Sequence, residues 1–277
     1  MKNYLKLVNF ELNRFFKIYA VLIFITIVSQ IAGVIFISRH YLSSANEEIH
    51  RNFMSIQEFL QVYGKISFTW ITTSEWFVFP ILFCIAVLVI YVFFIWYRDW
   101  FGKNTFIYRL LMLPTDRLNI YLAKATTIFI MVLGLVALQM ILLPIETMIF
   151  QMLIPIDFRM DLPLKDIIRS FDDQRVLFPA TFLDFVIHYG LGLISVFVVF
   201  TAILFERCFK WKGIIIGILY CIGAVTLFFL PGIIILITEN SYLYPIEVFI
   251  LEVVLAIIIM VMSIWISRYL LQNKITV

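Results

Sequence analysis

Long apolar runs alternate with short polar segments along the whole chain. Five runs contain no Asp, Glu, Lys or Arg and a sixth contains only Glu252; they lie at 18–38, 76–97, 125–145, 185–205, 213–238 and 248–267. About 20 residues rising ~1.5 Å each cross a hydrocarbon core of ~30 Å, and lipid offers no partner for unpaired backbone amides. The runs lack the two-residue alternation of a membrane β-strand. The pattern therefore predicts an all-α polytopic membrane protein with six transmembrane helices.

The distribution of Lys and Arg predicts the orientation of these helices. Fourteen of the 21 basic residues lie at the N-terminus, between the second and third runs, between the fourth and fifth, and at the C-terminus. The other seven are spread over two longer segments. Because short cytoplasmic loops carry an excess of Lys and Arg, both termini are predicted to be cytoplasmic.

These assignments predict a single transmembrane domain over residues 1–277. Its parts are an interfacial helix at 1–17, spans at 18–38, 76–97, 122–146, 182–205, 213–238 and 247–267, external segments at 39–75 and 147–181, and a cytoplasmic loop at 98–121.

The segments outside the spans also show helical periodicity. One face of segment 1–17 contains Leu5, Val8, Leu12, Phe15 and Phe16, which predicts a basic amphipathic helix that lies in the membrane interface before turning into the first span. The alternative is a positive flank that only orients the first span. Ser44-Ala45-Asn46, followed by two acids, predicts the start of an external helix, and LPLKDIIRSF predicts a second.

Composition agrees with a membrane protein and excludes several other classes. Hydrophobic residues make up 63% of the chain and charged residues 14%, and the mean hydropathy is +1.03. The net charge of +3 reflects the loop asymmetry and gives no indication of nucleic-acid binding. Three scattered cysteines form no disulfide framework or metal-binding spacing.

Four ionisable residues lie at or near membrane depth: Glu146, Asp184, His188 and Glu252. Such residues are candidates for function because charge is costly in hydrocarbon. Helix rise puts all four toward the predicted outer surface. They are either interfacial side chains that reach water or polar groups of an outer cavity, and Glu252 is deep enough to need a partner.

No sequence motif for catalysis or nucleotide binding is present. Neither Gly64-Lys65 nor Gly102-Lys103 has the flanking residues of a phosphate-binding loop, and the chain lacks H-E-x-x-H and G-x-S-x-G. The predicted cytoplasmic segments are too short for a catalytic domain. The sequence therefore predicts that the chain is not an enzyme and holds no cofactor or metal.

The loop after the second span is the strongest candidate for a docking site. Segment 97–124 contains five basic residues and two acids. A short apolar helix at 107–113 is predicted to end at Pro114, because proline disfavours helix in the residue before it. Thr115 or Asp116 can cap the helix that follows. A partner is expected to bind this positively charged side.

Several features together resemble the ABC-2 type permease subunits of bacterial ABC transporters. They are the basic N-terminal helix, the six spans with both ends inside, and the run from Tyr97 to Lys103 followed by Leu111-Met-Leu-Pro114-Thr115-Asp116-Arg117 and Leu122-Ala-Lys124. The resemblance covers essentially the whole chain. The chain departs from the family pattern before the last span, where a re-entrant element would be reduced to 226–238.

The resemblance implies that ATP hydrolysis and transport are carried out by separate chains. ATP and magnesium would bind a separate ATPase subunit, and a second permease subunit, identical or sister, would complete the pathway in the bacterial cytoplasmic membrane. Helix 107–113 would be the coupling helix and segment 1–17 the connecting helix. The residues implicated are Arg98, Asp99, Lys103, Arg109, Leu111, Pro114, Thr115, Asp116 and Arg117 in coupling, with Glu11, Arg14 and Lys17 in the connecting helix.

The expected cargo is an amphipathic peptide or toxin, or a lipophilic antibiotic. The chain contains 29 phenylalanines, and the middle of the bundle lacks the polar site that sugars or ions need. Two alternatives remain at this point. The chain could be a secondary transporter that uses the four outer ionisable residues as a proton or ion relay, or a membrane scaffold or sensor subunit that transports nothing.

Overall fold

In a computed structural model of the chain, residues 2–101, 106–170, 177–179, 181–238 and 244–275 are described. Over these residues the chain is almost entirely helical, and six helices are long and apolar enough to cross a membrane. The elements are α1 Lys2–Asn52, α2 Ile56–Tyr63, β1 Ile66–Ser67, α3 Thr69–Thr72, α4 Glu75–Trp100, α5 Phe106–Leu111, α6 Leu118–Leu153, β2 Arg159–Met160, α7 Leu164–Arg169, α8 Phe182–Phe209, α9 Trp211–Thr238 and α10 Pro245–Asn273. The predicted all-α polytopic class is confirmed, and the six predicted spans lie within α1, α4, α6, α8, α9 and α10.

The first helix differs from the prediction, because α1 is continuous over 51 residues. The turn expected after Lys17 and the helix start expected at Ser44 are therefore both wrong. No proline interrupts α1, and at ~1.5 Å per residue it is about 76 Å long. It ends where Phe53 adopts φ 51° and the N–H of Met54 donates to the carbonyl of Ile49 at 3.1 Å, which is the hydrogen-bond pattern of a helix C-terminus.

The buried face of the N-terminal segment agrees only in part with the predicted one. Val8 and Phe15 are buried as predicted and Leu7 and Glu11 are buried with them, whereas Leu5 and Phe16 are each more than 60% exposed. Burial therefore follows a stripe that includes an acid and leaves out part of the apolar face. The ion pairs of Glu11, described below, account for its burial.

The structure contains two compact units. The first comprises Met1–Arg14, Leu88–Phe129 and Val186–Val277; the second comprises Phe15–Val87 and Ile130–Phe185.

The core of the first unit contains hydrogen bonds between helices. Tyr121 of α6 donates to the carbonyl of Phe197 in α8 at 3.0 Å. The hydroxyl oxygens of Thr201 and Ser267 lie 3.0 Å apart, and those of Tyr220 and Ser263 lie 2.7 Å apart. Such bonds hold transmembrane helices together because water does not compete for these groups.

The turn between α8 and α9 brings the two helices close together. Lys210 alone separates them and adopts φ 53°. At Gly213 a Cβ atom would overlap the carbonyl oxygen of Phe205, and at Gly217 it would lie 3.0 Å from the carbonyl oxygen of Ala202. The Gly213-x-x-x-Gly217 spacing therefore serves packing within the chain.

The second unit has an apolar core that joins helix ends to the segments between them. Its buried members come from α1, α2, β1, α3, α4, α6 and α7 and include Val34, Phe59, Phe68, Leu143 and Phe150. β1 and β2 pair in parallel through a two-residue ladder that the sequence did not predict. We call residues 56–72 and 154–169 the cap, because they pack on the ends of the long helices of this unit.

Candidate functional site

Five charged side chains from α1, α4 and α6 meet inside the first unit. They are Glu11, Arg14, Arg98, Asp99 and Lys124, and we call them the charge cluster. Glu11 and Arg14 lie one helical turn apart on α1, and Arg98 and Asp99 are adjacent at the end of α4. The cluster contains three basic and two acidic side chains and joins three helices that are far apart in sequence.

Lys124 is the centre of the charge cluster. Its side chain has no solvent exposure, and its Nζ lies 2.7 Å from Glu11 Oε1 and 2.5 Å from Asp99 Oδ2. It also donates to the backbone carbonyl of Ile95 at 2.9 Å. A buried ammonium is tolerated only when it is paired and hydrogen-bonded, and here two carboxylates and a carbonyl supply all three acceptors.

Two arginines complete the pairing of the buried carboxylates. Arg98 donates to Glu11 Oε2 at 2.8 Å, and Arg14 donates to Asp99 Oδ1 at 2.7 Å. Each carboxylate therefore binds Lys124 through one oxygen and an arginine through the other. The guanidinium groups are about a fifth to a quarter exposed, so they lie at the edge of the cluster.

The short helix α5 is attached to this cluster through aromatic rings. Phe106 of α5 stacks on Phe10 of α1 with ring centroids 5.7 Å apart. The guanidinium carbon of Arg14 lies 5.1 Å from the Phe10 centroid and 5.0 Å from that of Phe106, within cation–π range. A displacement of α5 would therefore disturb the side chain that holds Asp99.

One face of α5 packs inward and the other is exposed. Ile107, Leu110 and Leu111 are buried. The exposed side continues past the end of the helix and consists of Tyr108, Arg109, Met112 and Leu113, with Met112 exposed by 71%. The result is a small apolar and basic surface at the expected coupling helix.

The break at Pro114–Arg117 contacts two helices, α6 and α10. Asp116 Oδ1 accepts from the backbone N–H of Leu118 at 3.2 Å and so caps α6. Arg117 donates to the carbonyls of Leu271 and Ile275 at 2.7 and 2.8 Å. These carbonyls belong to the C-terminal end of α10, where a cation is electrostatically favourable.

A second set of contacts, made by Arg207 of α8, joins α8 to the end of α4 in the same unit. Arg207 lies over the rings of Tyr97, Trp100 and Phe101, closest to Tyr97 at 4.5 Å. The Tyr97 hydroxyl donates to Glu206. The residues in and beside the basic loop thus contact α1, α6, α8 and α10 of the first unit.

The predicted coupling residues differ in their exposure to solvent. Asp99 is fully buried and Leu111 is 5% exposed, so neither is available at the surface. Arg98, Thr115 and Arg117 are half-buried, whereas Arg109, Pro114, Asp116 and the connecting-helix residue Lys17 are exposed. Lys103 lies outside the described residues.

The four outer ionisable residues fall into different settings. Glu146 is completely buried in the second unit. Asp184 accepts hydrogen bonds from the Thr181 backbone and hydroxyl, and its own N–H donates to Thr181 Oγ1, so it caps α8. His188 and Glu252 are half-buried members of the first unit. Among the described residues, no three His, Cys, Asp or Glu side chains form a possible metal site.

Sequence reasoning missed Lys124 as a site residue. A signal was available, because Glu11 and Asp99 are isolated acids within basic segments. Lys124 lies 113 positions from Glu11 and 25 from Asp99, and no local periodicity joins them. Ser55-x-x-Glu58, the capping box that starts α2, was likewise readable in the sequence.

The geometry suits mechanical linkage better than chemistry. The basic groups of the charge cluster are bound to carboxylates, and its acids are bound to three cations between them. The arrangement holds helices together and connects them to an exposed loop. No protein-family model, curated protein or solved structure matches this chain.

Proposed function

We propose that this chain is the membrane-spanning permease subunit of an ATP-driven exporter, and that a separate ATPase subunit drives it through α5 and the Pro114–Arg117 break. The observation that carries the proposal is the attachment of α5 to the charge cluster through Phe106 and Arg14. A loop that only connected two spans would not need contacts with α1, α6 and α10. The family resemblance of the same segment supports this reading.

The proposed topology puts both termini and segment 98–117 in the cytoplasm of a bacterial cell, with the chain in the cytoplasmic membrane. The basic loops support it. The charge cluster then lies near the cytoplasmic ends of α1, α4 and α6. Water and lipid headgroups near that depth reduce the cost of the two partly exposed arginines.

The exposed surface of α5 is the proposed contact with the ATPase subunit. Tyr108, Met112 and Leu113 provide apolar area, and Arg109 adds a basic group. Closure of the ATPase subunits on ATP would push on this surface. The push would reach α1 through Phe106 and Arg14, and α10 through Arg117. ATP and magnesium bind the partner in this scheme, and a second permease subunit, identical or sister, completes the pathway.

The proposed cargo is an amphipathic peptide, a toxin or a lipophilic antibiotic. Several polar side chains buried between helices are hydrogen-bonded, as Tyr121 is to the Phe197 backbone carbonyl and Gln30 to Gln139. This leaves apolar walls for an amphipathic cargo. A hydrophilic solute would need open polar groups along the pathway.

The decisive experiment replaces Pro114–Arg117 with Gly-Ser-Gly-Ser. We expect normal membrane insertion and loss of export, because the linkage to α6 and α10 is removed. A milder variant pair tests the docking surface: Arg109→Glu should reduce copurification of the ATPase subunit. Lys212→Glu, an equal change at another exposed basic residue of the first unit, should not.

Three results would overturn the proposal. One is full export by the Gly-Ser variant. Another is ATP hydrolysis by the purified chain alone. The third is modification of an engineered cysteine at Met112 by an impermeant reagent added outside intact cells, since the proposed topology puts that residue in the cytoplasm.

A further inference from the structure

Three buried oxygen atoms of the second unit have no hydrogen-bond partner. They are Ser38 Oγ on α1 and both carboxyl oxygens of Glu146 on α6, and within the described part of this unit no other buried side-chain nitrogen or oxygen lacks one. Both side chains have no solvent exposure. Buried polar groups are almost always hydrogen-bonded, so two unpaired groups in one unit require an explanation.

The register of α1 and α6 brings the two side chains to the same height. Tyr19 donates to the Met131 carbonyl at 3.0 Å, and further along both helices the amides of Gln30 and Gln139 exchange hydrogen bonds of 3.1 and 3.2 Å. The helices therefore run parallel. Along the helix axes, Ser38 lies about 12 Å beyond Gln30 on α1, and Glu146 lies about 10 Å beyond Gln139 on α6.

Both residues lie on buried sides of their helices. Val34 and Leu143, which precede them on α1 and α6, belong to one continuous buried cluster. Ser38 and Glu146 are thus the next buried polar positions after the glutamine pair on these two helices.

Among the described residues of the second unit, no buried cation balances Glu146. The other buried polar residues of the described second unit are neutral: Thr26, Gln30, Ser38, Thr72 and Gln139.

The titratable side chains on neighbouring helices do not supply a counter-charge either. On α1, Arg39 and His40 are exposed and the Tyr41 hydroxyl donates to the Gly64 carbonyl. On α4, Glu75 is exposed and Cys84 is hydrogen-bonded to Thr26. On the cap side, Phe68 packs on Phe150, one turn beyond Glu146. The basic residues of the cap are either exposed or paired with an acid: Lys65, Lys165 and Arg169 are exposed, and Arg159 is paired with Asp161.

We propose that Glu146 is a proton-binding site, carried as a neutral carboxylic acid. An ionised carboxylate without a partner is too costly in such surroundings, and a proton removes the charge. A metal cation would need about six oxygen ligands, and only three are available here. Release of the proton leaves a carboxylate and passes the proton to water, which requires opening of the packing beneath the cap.

Infrared difference spectroscopy of the purified full chain in lipid nanodiscs tests the assignment at neutral pH. The probe is the proton itself, observed through the carbonyl stretch of a protonated carboxylic acid. We expect one such band in the natural protein and loss of that band in Glu146→Gln. Glu75→Gln, at an exposed acid of the same unit, should leave the band unchanged.

The amide of Glu146→Gln keeps the size and neutrality of the acid, so this variant is expected to fold. Retention of helical circular dichroism and a single size-exclusion peak will verify it. A band that persists in a folded Glu146→Gln variant overturns the proposal. So does a carboxylate band that is lost with Glu146 and shifts when sodium replaces a bulky organic cation, because a metal cation would then occupy the site. The measurement needs no transport, so its failure is separate from failure of the proposed export function.

Discussion

Replacing Lys124 with methionine removes the central charge of the cluster while keeping most of the side-chain volume. The ammonium is fully buried and bound to Glu11, Asp99 and the Ile95 carbonyl. Removing one partner of a buried ion pair costs about 3–5 kcal/mol, because the remaining charge stays buried. Arg98 and Arg14 still bind the two carboxylates here. We therefore expect the lower end, a loss of about 3 kcal/mol in the free energy of unfolding.

The assay is reversible unfolding of the purified chain in mixed micelles with increasing dodecyl sulfate, followed by circular dichroism. Lys17→Met is the control, because Lys17 is an exposed basic residue on α1, and it should change stability by less than about 0.5 kcal/mol. Lys124→Met, Glu11→Gln and the double variant form a cycle. Residues in one ionic network should show a coupling energy of about 1–3 kcal/mol.

Two outcomes would refute this reasoning. In the first, Lys124→Met is no less stable than the Lys17 control, which would mean that the desolvation of the ammonium cancels its pairing. In the second, the two single changes are additive, which would mean that Lys124 and Glu11 do not interact in the folded chain.

Three further predictions concern local structure. Lys210→Gly should raise the free energy of unfolding in the same micelle assay by about 1 kcal/mol, because a left-handed residue with a side chain is strained and glycine is not. Gly213→Ala should lower it by about 1–3 kcal/mol through overlap with the α8 backbone, whereas Gly223→Ala, where a Cβ meets open space, should not. Hydrogen bonds from the Ser55 backbone and hydroxyl lower the pKa of Glu58. The capping-box contribution is therefore full above the unfolded pKa and is lost as pH falls through the lower folded value. Amide exchange in α2, corrected for its intrinsic pH dependence, should accelerate there in the natural protein but not in Glu58→Gln.

The sequence was sufficient to predict six helices that are long and apolar enough to cross a membrane. Run length and absence of charge are local properties, and the bilayer requires helix wherever an apolar run is long enough. The break at Pro114 and the cap at Asp116 were readable for the same reason, since both depend on neighbouring residues.

Tertiary structure decided which charges are paired and which are exposed. Lys124 meets Glu11 across 113 positions, and nothing in either segment specifies the other. The buried face of α1 includes Glu11 and only part of the face that apolar periodicity predicted, since Val8 and Phe15 are buried but Leu5 and Phe16 are exposed. Helix α1 continues through Lys17 and Ser44 because neither position has a residue that forces a helix to end. Pairings between distant segments depend on the packing of all the helices, so local pattern could not determine whether Glu146 and Ser38 lie at the surface or in the core.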